Sequence, residues 1–447
     1  MKDADKSEVG EPAQKAAVVA AKSAREPFIL AAAFLDGMVA VSGVPVMVKQ
    51  GAFVSFPSGA SLAAYQLCFF LPQLLTTLAA EQLTPHFDAL ALLLFTLVCT
   101  TGSAVVVSLS LSHRALYLFF ASRFLNGVLR HDKTYFGITG TALHMSAAEL
   151  GAAARYGMMA GMAVSGLAGD VLEDAIEVAQ FFALVEILAT VLVLVRYLRG
   201  RHVTSPVRTR LEYAKWLPSL WRASPAAHHT LVALAAVLVA ASVNQVAYPL
   251  MGPEYQLPYT FTGAHLCFNM AVQMVWMPHI LKWAMQRAAT WKSNLLLSGT
   301  AEDKLTVVSA ALLLAGCVAA PYATTHSPLL YYTVSTLLVD VPAGVLTSLA
   351  TAAAQASLDK FSGDSAKVGL LIAHATQLTK SFAAPLRISM GDYYHDRKHT
   401  VRLVSLPLMA YTLVYARTHS VAYSVAALAM MAFYMVSSTN ATSDGDL

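Results

Sequence analysis

Apolar blocks of about twenty residues recur along almost the whole chain, each long enough to cross a hydrocarbon core as a helix. Backbone polar groups in lipid find no water, so such blocks are expected to fold as helices that satisfy themselves. Charged residues make up 13% of the 447, against about 25% in soluble domains. The expectation is an all-α polytopic membrane protein. The net charge of +4 comes from basic residues scattered over loops, with no patch of the kind that binds nucleic acid.

Spans are expected at 27–48, 61–81, 89–110, 115–140, 155–171, 177–198, 229–251, 261–283, 304–324, 327–355, 366–389 and 418–437. That makes twelve transmembrane helices in two six-helix bundles, 27–198 and 229–437. A polar N-terminal tail covers 1–26, a central loop 199–228 and a C-terminal tail 438–447. The tail carries no apolar signal-peptide core. In the central loop, Trp216, Leu217, Leu220 and Trp221 fit either a helix lying in the interface or a solvated linker. The stretch 401–416 is apolar but short for a span, and reads as an interfacial or packed half-helix. If it crosses instead, the C-terminus changes sides and Asn440 in NAT becomes a glycosylation acceptor. With the N-terminus inside, nineteen Lys and Arg fall on the cytoplasmic side and six outside, which favours both termini in the cytoplasm. Nothing in the sequence distinguishes plasma membrane from an organelle.

Ionisable groups inside such spans are costly, about 2.5–3.5 kcal/mol each on insertion scales, so those retained face a cavity or a partner. The run RFLNGVLRHDKTYFG, 123–137, concentrates them in span four. Arg123, Gly127 and His131 follow i, i+4, i+8, while Arg123, Asn126 and Arg130 form a neighbouring stripe, so this face should look into the bundle. It reads either as a solute- or proton-handling face or as a structural charge network. Asp36 lies nine residues into span one, where a carboxyl can exchange a proton at physiological pH or lock to a buried base. Asp340 precedes Pro342 and Gly344, so a kink is expected beside it, and Lys380 sits ahead of Pro385. Glu186 in span six reads as a partner for an adjacent helix. Asn244, Gln245 and Gln273 add polar lining in spans seven and eight.

FLDGMVAVSGVPVM (34–47), YLFFASRFLNGVLRH (117–131) and RYGMMAGMAVSGLAGDVL (155–172) resemble the first, fourth and fifth helices of the drug:proton antiporter branch of the major facilitator superfamily. The Arg130–His131 pair is similar to orphan organic-cation-transporter-like and tetracycline-resistance-like solute carriers. The likeness covers spans one to five in order. It implies a major facilitator fold in which Arg123 and Gly127 belong to the fourth-helix motif. Gly161, Gly166 and Gly169 form a glycine-rich antiporter motif that lets helices approach closely. Two departures stand out: the loop after span two, AAEQLTPHFD (79–88), keeps Glu81 and Asp88 but lacks the family's arginines, and Leu167 stands where proline is common.

The resemblance implies a secondary transporter of a small organic solute working by alternating access in the bilayer. Asp36 and Arg123 are then the expected proton-coupling pair. Arg130, His131, Asn244, Gln245, Asp340 and Lys380 are candidates for lining the solute site. The alternative is a non-transporting receptor or membrane scaffold on the same fold, favoured by the missing arginines. The sequence has no HExxH, no GxSxG and no closely paired carboxylates, so an enzyme is not expected. Cys68, Cys99, Cys267 and Cys317 all lie in apolar segments without ligand spacing. No cofactor or metal is expected, and the chain should act as a monomer.

Overall fold

The computed structural model describes residues 26–40, 67–69, 71–73, 76, 87–113, 115–130, 132–143, 145–172, 174–200, 224–244, 258–292, 297, 299–362 and 397–443. Within them all regular structure is helical. The N-terminal half contributes α1 (Pro27–Ala40), α2 (Ala89–Ser112), α3 (Leu116–Leu129), α4 (Asp132–Ala142), α5 (Ala147–Val171) and α6 (Ala175–Arg199). The C-terminal half contributes α7 (Ser224–Asn244), α8 (Tyr259–Ala271), α9 (Met277–Thr290), α10 (Ala301–His326), α11 (Pro328–Val334), α12 (Val341–Ser362), α13 (Arg397–Thr418) and α14 (Val421–Ser443). Stretches at Ala89–Ser112, Ala175–Arg199, Ala301–Ala320 and Leu329–Ser357 are long and apolar enough to cross a membrane.

Helix starts follow local chemistry. Asp88 caps α2, its Oδ1 accepting the Leu90 N–H at 2.8 Å and the Ala91 N–H at 3.3 Å. Thr300 and Asp303 form a reciprocal capping box at the head of α10. Each half then builds its own core. Ile29, Leu93, Leu97 and Val193 bury the N-terminal bundle, and Leu313, Leu346, Met409 and Tyr331 the C-terminal one. At one rim, Arg196 at the end of α6 grips Glu26 at the head of α1 through two hydrogen bonds of 2.7 and 2.8 Å.

Two helix pairs run on through single π-helical turns, α8 into α9 at Val272–Trp276 and α11 into α12 at Ser335–Asp340. Both turns end two residues before a proline, Pro278 and Pro342. A proline in a helix lacks the N–H for the carbonyl four residues back and crowds it with its ring. The wider π turn relieves that clash, so the kink expected beside Asp340 takes the form of a π turn.

Three expectations change. Span four is broken at Arg130, which leaves the helical conformation (φ −81°, ψ 89°) between α3 and α4. Its N–H bonds the Asn126 carbonyl and its own carbonyl accepts the Gln73 amide at 3.0 Å. The i, i+4, i+8 face therefore does not continue past position 130. Second, α13 is a full helix of 22 residues, not a half-helix, and buries Ser405, Met409, Thr412 and Tyr415. Third, α14, at the place of the expected span 418–437, runs on to Ser443 into the expected tail, after a turn in which His419 takes φ +49°. His419 lies 3.6 Å from Asp303, so α13 ends where α10 begins and the two run antiparallel. The central loop, 201–223, and the eleventh span, 366–389, lie outside the described residues.

Candidate functional site

In the N-terminal half, Asp36 on α1 and Arg130 at the α3–α4 break form an ion pair at 3.3 Å, their side chains 6% and 13% exposed. The break makes this possible, because leaving the helix swings the Arg130 guanidinium toward α1. Arg123, about two turns earlier on α3, stacks over the Phe69 ring at 4.3 Å. Gly127 lets α3 meet the second span: a Cβ there would sit 2.3 Å from the Phe69 carbonyl oxygen. Glu186 is fully buried on α6.

In the C-terminal half the two π turns face one another. Asn269 on α8 donates to the Asp340 carboxylate at 2.6 Å and to His265 Nε2 at 3.1 Å, and accepts from the Thr336 hydroxyl at 2.9 Å. Gln273, in the first π turn, donates to the main-chain carbonyl of Asp340 in the second. Asp340, Asn269 and Thr336 are all buried. Tyr332 packs on the His265 imidazole with ring centroids 4.0 Å apart.

A third constellation joins the halves along α5 and α8. Pro258, the residue before α8, offers no side chain to cap it. Asp170 from the end of α5 does so across the seam. Its two carboxylate oxygens accept the Tyr259 and Thr260 N–H groups, both at 2.7 Å, and the Thr260 hydroxyl. Below it the backbones touch. A Cβ on Gly166 would lie 2.7 Å from the Tyr259 carbonyl oxygen, and one on Gly263 2.8 Å from the Gly166 Cα. A Cβ on Gly169 would lie 2.9 Å from the Tyr259 side chain, while Gly161 is buried within α5.

Of the candidate residues, Asp36 and Arg130 come together, and Asp340 sits in a separate cluster. Asn244 ends α7, with its side chain outside the described residues; His131, Gln245 and Lys380 lie outside them as well. Sequence reasoning passed over His265, Asn269 and Thr336. The signal was available, because His265, Asn269 and Gln273 repeat at i, i+4, i+8 as a polar stripe in an apolar span. It also passed over Asp170, which stands at the end of the expected fifth span and shows no role until α8 is placed against it. Among the described residues no group of three or more His, Cys, Asp or Glu could hold a metal ion.

No protein-family model matches the sequence, and no curated protein matches it. Solved structures do. The nucleoside transporter NupG aligns with a TM-score of 0.66 at 12% identity, covering 91% of this chain and 98% of that one. A bacterial homologue of the iron transporter ferroportin, in an inward-facing state, aligns at 0.58 and 16%, covering 91% and 99%. A bacterial homologue of the human lysosomal transporter Spinster, inward-facing and unoccupied, aligns at 0.56 and 11%, covering 96% and 98%. The fold is that of major facilitator transporters. The chain is an integral, multi-pass membrane protein of that architecture.

Proposed function

We propose that this chain is a secondary transporter of the drug:proton antiporter type, carrying a small organic solute by alternating access as a monomer. The observation that carries the reading is the buried Asp36–Arg130 pair, set where a broken helix can let go of it. Removing one partner of a buried pair strands the other at about 3–5 kcal/mol. Protonating Asp36 does this without a mutation, so the loaded and unloaded proteins favour different arrangements of Arg130. A coupling mechanism requires that kind of differential stability between two states. Structural neighbours that include a nucleoside transporter, a homologue of an iron transporter and a peptide transporter support solute movement on this fold. Asp340 lines the C-terminal side of the route, with Arg123, His131, Asn244, Gln245 and Lys380 as further lining positions. The test is solute-driven proton flux in proteoliposomes. Asp36→Asn is expected to abolish coupling, and intact coupled flux in that variant overturns the role.

The geometry also supports a topology. Glu26, Arg196, Asp303 and His419 lie at one rim, and Asp170 and Tyr259 at the other. With α14 returning along α13, Ser443 lies at the rim opposite Glu26. This differs from the shared cytoplasmic side suggested by charge alone. An impermeant thiol reagent applied to sealed cells should distinguish cysteines placed at positions 26 and 443; equal labelling refutes it. With Glu26 cytoplasmic, the closed seam at Asp170 faces outward and the protein is inward-facing.

The rival reading, a receptor or scaffold, draws on Asp88. This acid of the loop after span two is used as the α2 cap. That reading predicts label distances across the seam that respond to neither solute nor pH.

A further inference from the structure

We propose that His265, Asn269 and Asp340 form a two-proton site that fills in a fixed order, Asp340 before His265, because the Asn269 amide must invert between the two protonations. As a coupling site it rests on the transport reading above; the order of protonation does not.

The argument starts from the amide. Asn269 Nδ2 has two hydrogens, and both are used, one on Asp340 Oδ2 and one on His265 Nε2. Its Oδ1 accepts from Thr336. His265 Nε2 is therefore a bare acceptor in this arrangement. A proton added there would set N–H against N–H. Inverting the amide solves that contact, since Oδ1 then accepts from Nε2–H and Nδ2 donates to the Thr336 hydroxyl oxygen. The same inversion points Oδ1 at Asp340 Oδ2. An ionised carboxylate cannot tolerate a carbonyl oxygen there, whereas a carboxylic acid donates its O–H to it. A proton on His265 thus presupposes a proton on Asp340. Both come from solvent, one ending on Asp340 Oδ2 and the other on His265 Nε2, and the cluster gains two positive charges.

Among the described residues, several charged or titratable groups on the helices packed around the cluster have partners of their own outside it. Asp170 of α5 holds the first turn of α8, Asp303 of α10 holds Thr300 and His419, and Lys304 bonds the Trp291 carbonyl. Arg155 bonds the Gly151 carbonyl within α5, and His228 of α7 pairs with Tyr411. Tyr332 of α11 is the titratable ring against His265. Described side chains of α12 carry no ionisable group.

The order has a signature that simple attraction lacks. If Asp340 only attracted a charge on His265, Asp340→Asn would make the imidazolium harder to form. On the amide-inversion scheme the same change frees the inversion, because an amide at 340 can face either orientation. The test is pH-difference infrared spectroscopy of the full chain in nanodiscs without solute, with His265→Phe and Asp340→Asn assigning the imidazolium and carboxylic-acid bands. In wild type the Asp340 acid band is expected to appear before the His265 imidazolium as pH falls. In Asp340→Asn the imidazolium is expected to form at a proton concentration at least threefold lower than in wild type. In Thr336→Val, which keeps the shape but releases the amide, the order weakens. Asn269→Leu removes it. An imidazolium harder to form in Asp340→Asn, or an order unchanged in both Thr336→Val and Asn269→Leu, overturns the proposal. Failure of solute flux in wild-type proteoliposomes with the order intact refutes transport alone.

Discussion

Replacing Asp170 with alanine should open the outer seam. The carboxylate supplies the helix cap that α8 cannot supply for itself, and it does so from the opposite bundle, so the whole loss falls on the closed state. Losing an N-cap costs about 0.5–2 kcal/mol, and an acid at a helix N-terminus adds about 0.3–1 kcal/mol. Because Asp170 is exposed, solvent screening holds the net effect to about 1–2 kcal/mol. That is a shift of about 5–30-fold in the ratio of outward-closed to outward-open molecules. Spin labels at Val171→Cys and Leu329→Cys, both exposed and on opposite bundles, read the ratio as a distance distribution, after replacement of the four native cysteines. Asp170→Ala is expected to move population from the short to the long distance by that factor. Asp170→Asn, which keeps one acceptor, should fall between. Identical distributions in wild type and Asp170→Ala would show that the glycine seam alone holds the bundles and would refute the reasoning.

Three further outcomes are expected. Gly166→Leu puts side-chain atoms where the Tyr259 carbonyl already lies, so the same label pair should read long with or without solute. Arg130→Met removes the ion-pair partner of Asp36 and should lower stability by about 3–5 kcal/mol, with the Asp36→Leu/Arg130→Met double variant recovering much of it in thermal melts; equal losses in single and double variants would show the pair is not coupled. Asp88→Ala should cost about 0.5–2 kcal/mol in stability while leaving flux unchanged, and lost flux would give that loop acid a gating role.

The apolar blocks were enough to place most helices, because lipid leaves the backbone no alternative. Gly127 and Gly166 were legible as close-approach positions, since their motif spacing survives in the sequence. Arg130 was not. Nothing in RFLNGVLRHDK breaks a helix locally, and the break comes from two distant partners, Asp36 and Gln73. The α13 helix was read short because its first turn, RKHTVR, is strongly basic and hides the apolar length that follows. The π turns shift the side-chain phase by about 100°, one residue's worth of rotation, so a face read straight through Val272–Trp276 or Ser335–Asp340 goes out of register. That is why Asp340 gave no sequence sign of its pairing with Asn269.

The two ties that hold the bundle ends at one rim, one in each half, are unequal, and the difference sets which half can deform. Glu26 and Arg196 are locked in a two-bond fork and mostly shielded from water, so the first and sixth helices of the N-terminal half are stitched into a closed hoop. The corresponding tie in the C-terminal half, Asp303 to His419, spans 3.6 Å, and the histidine is 59% exposed. In the proposed transport cycle the N-terminal half is then the stiff partner and the C-terminal half the compliant one, with bending expected around α10, α13 and α14.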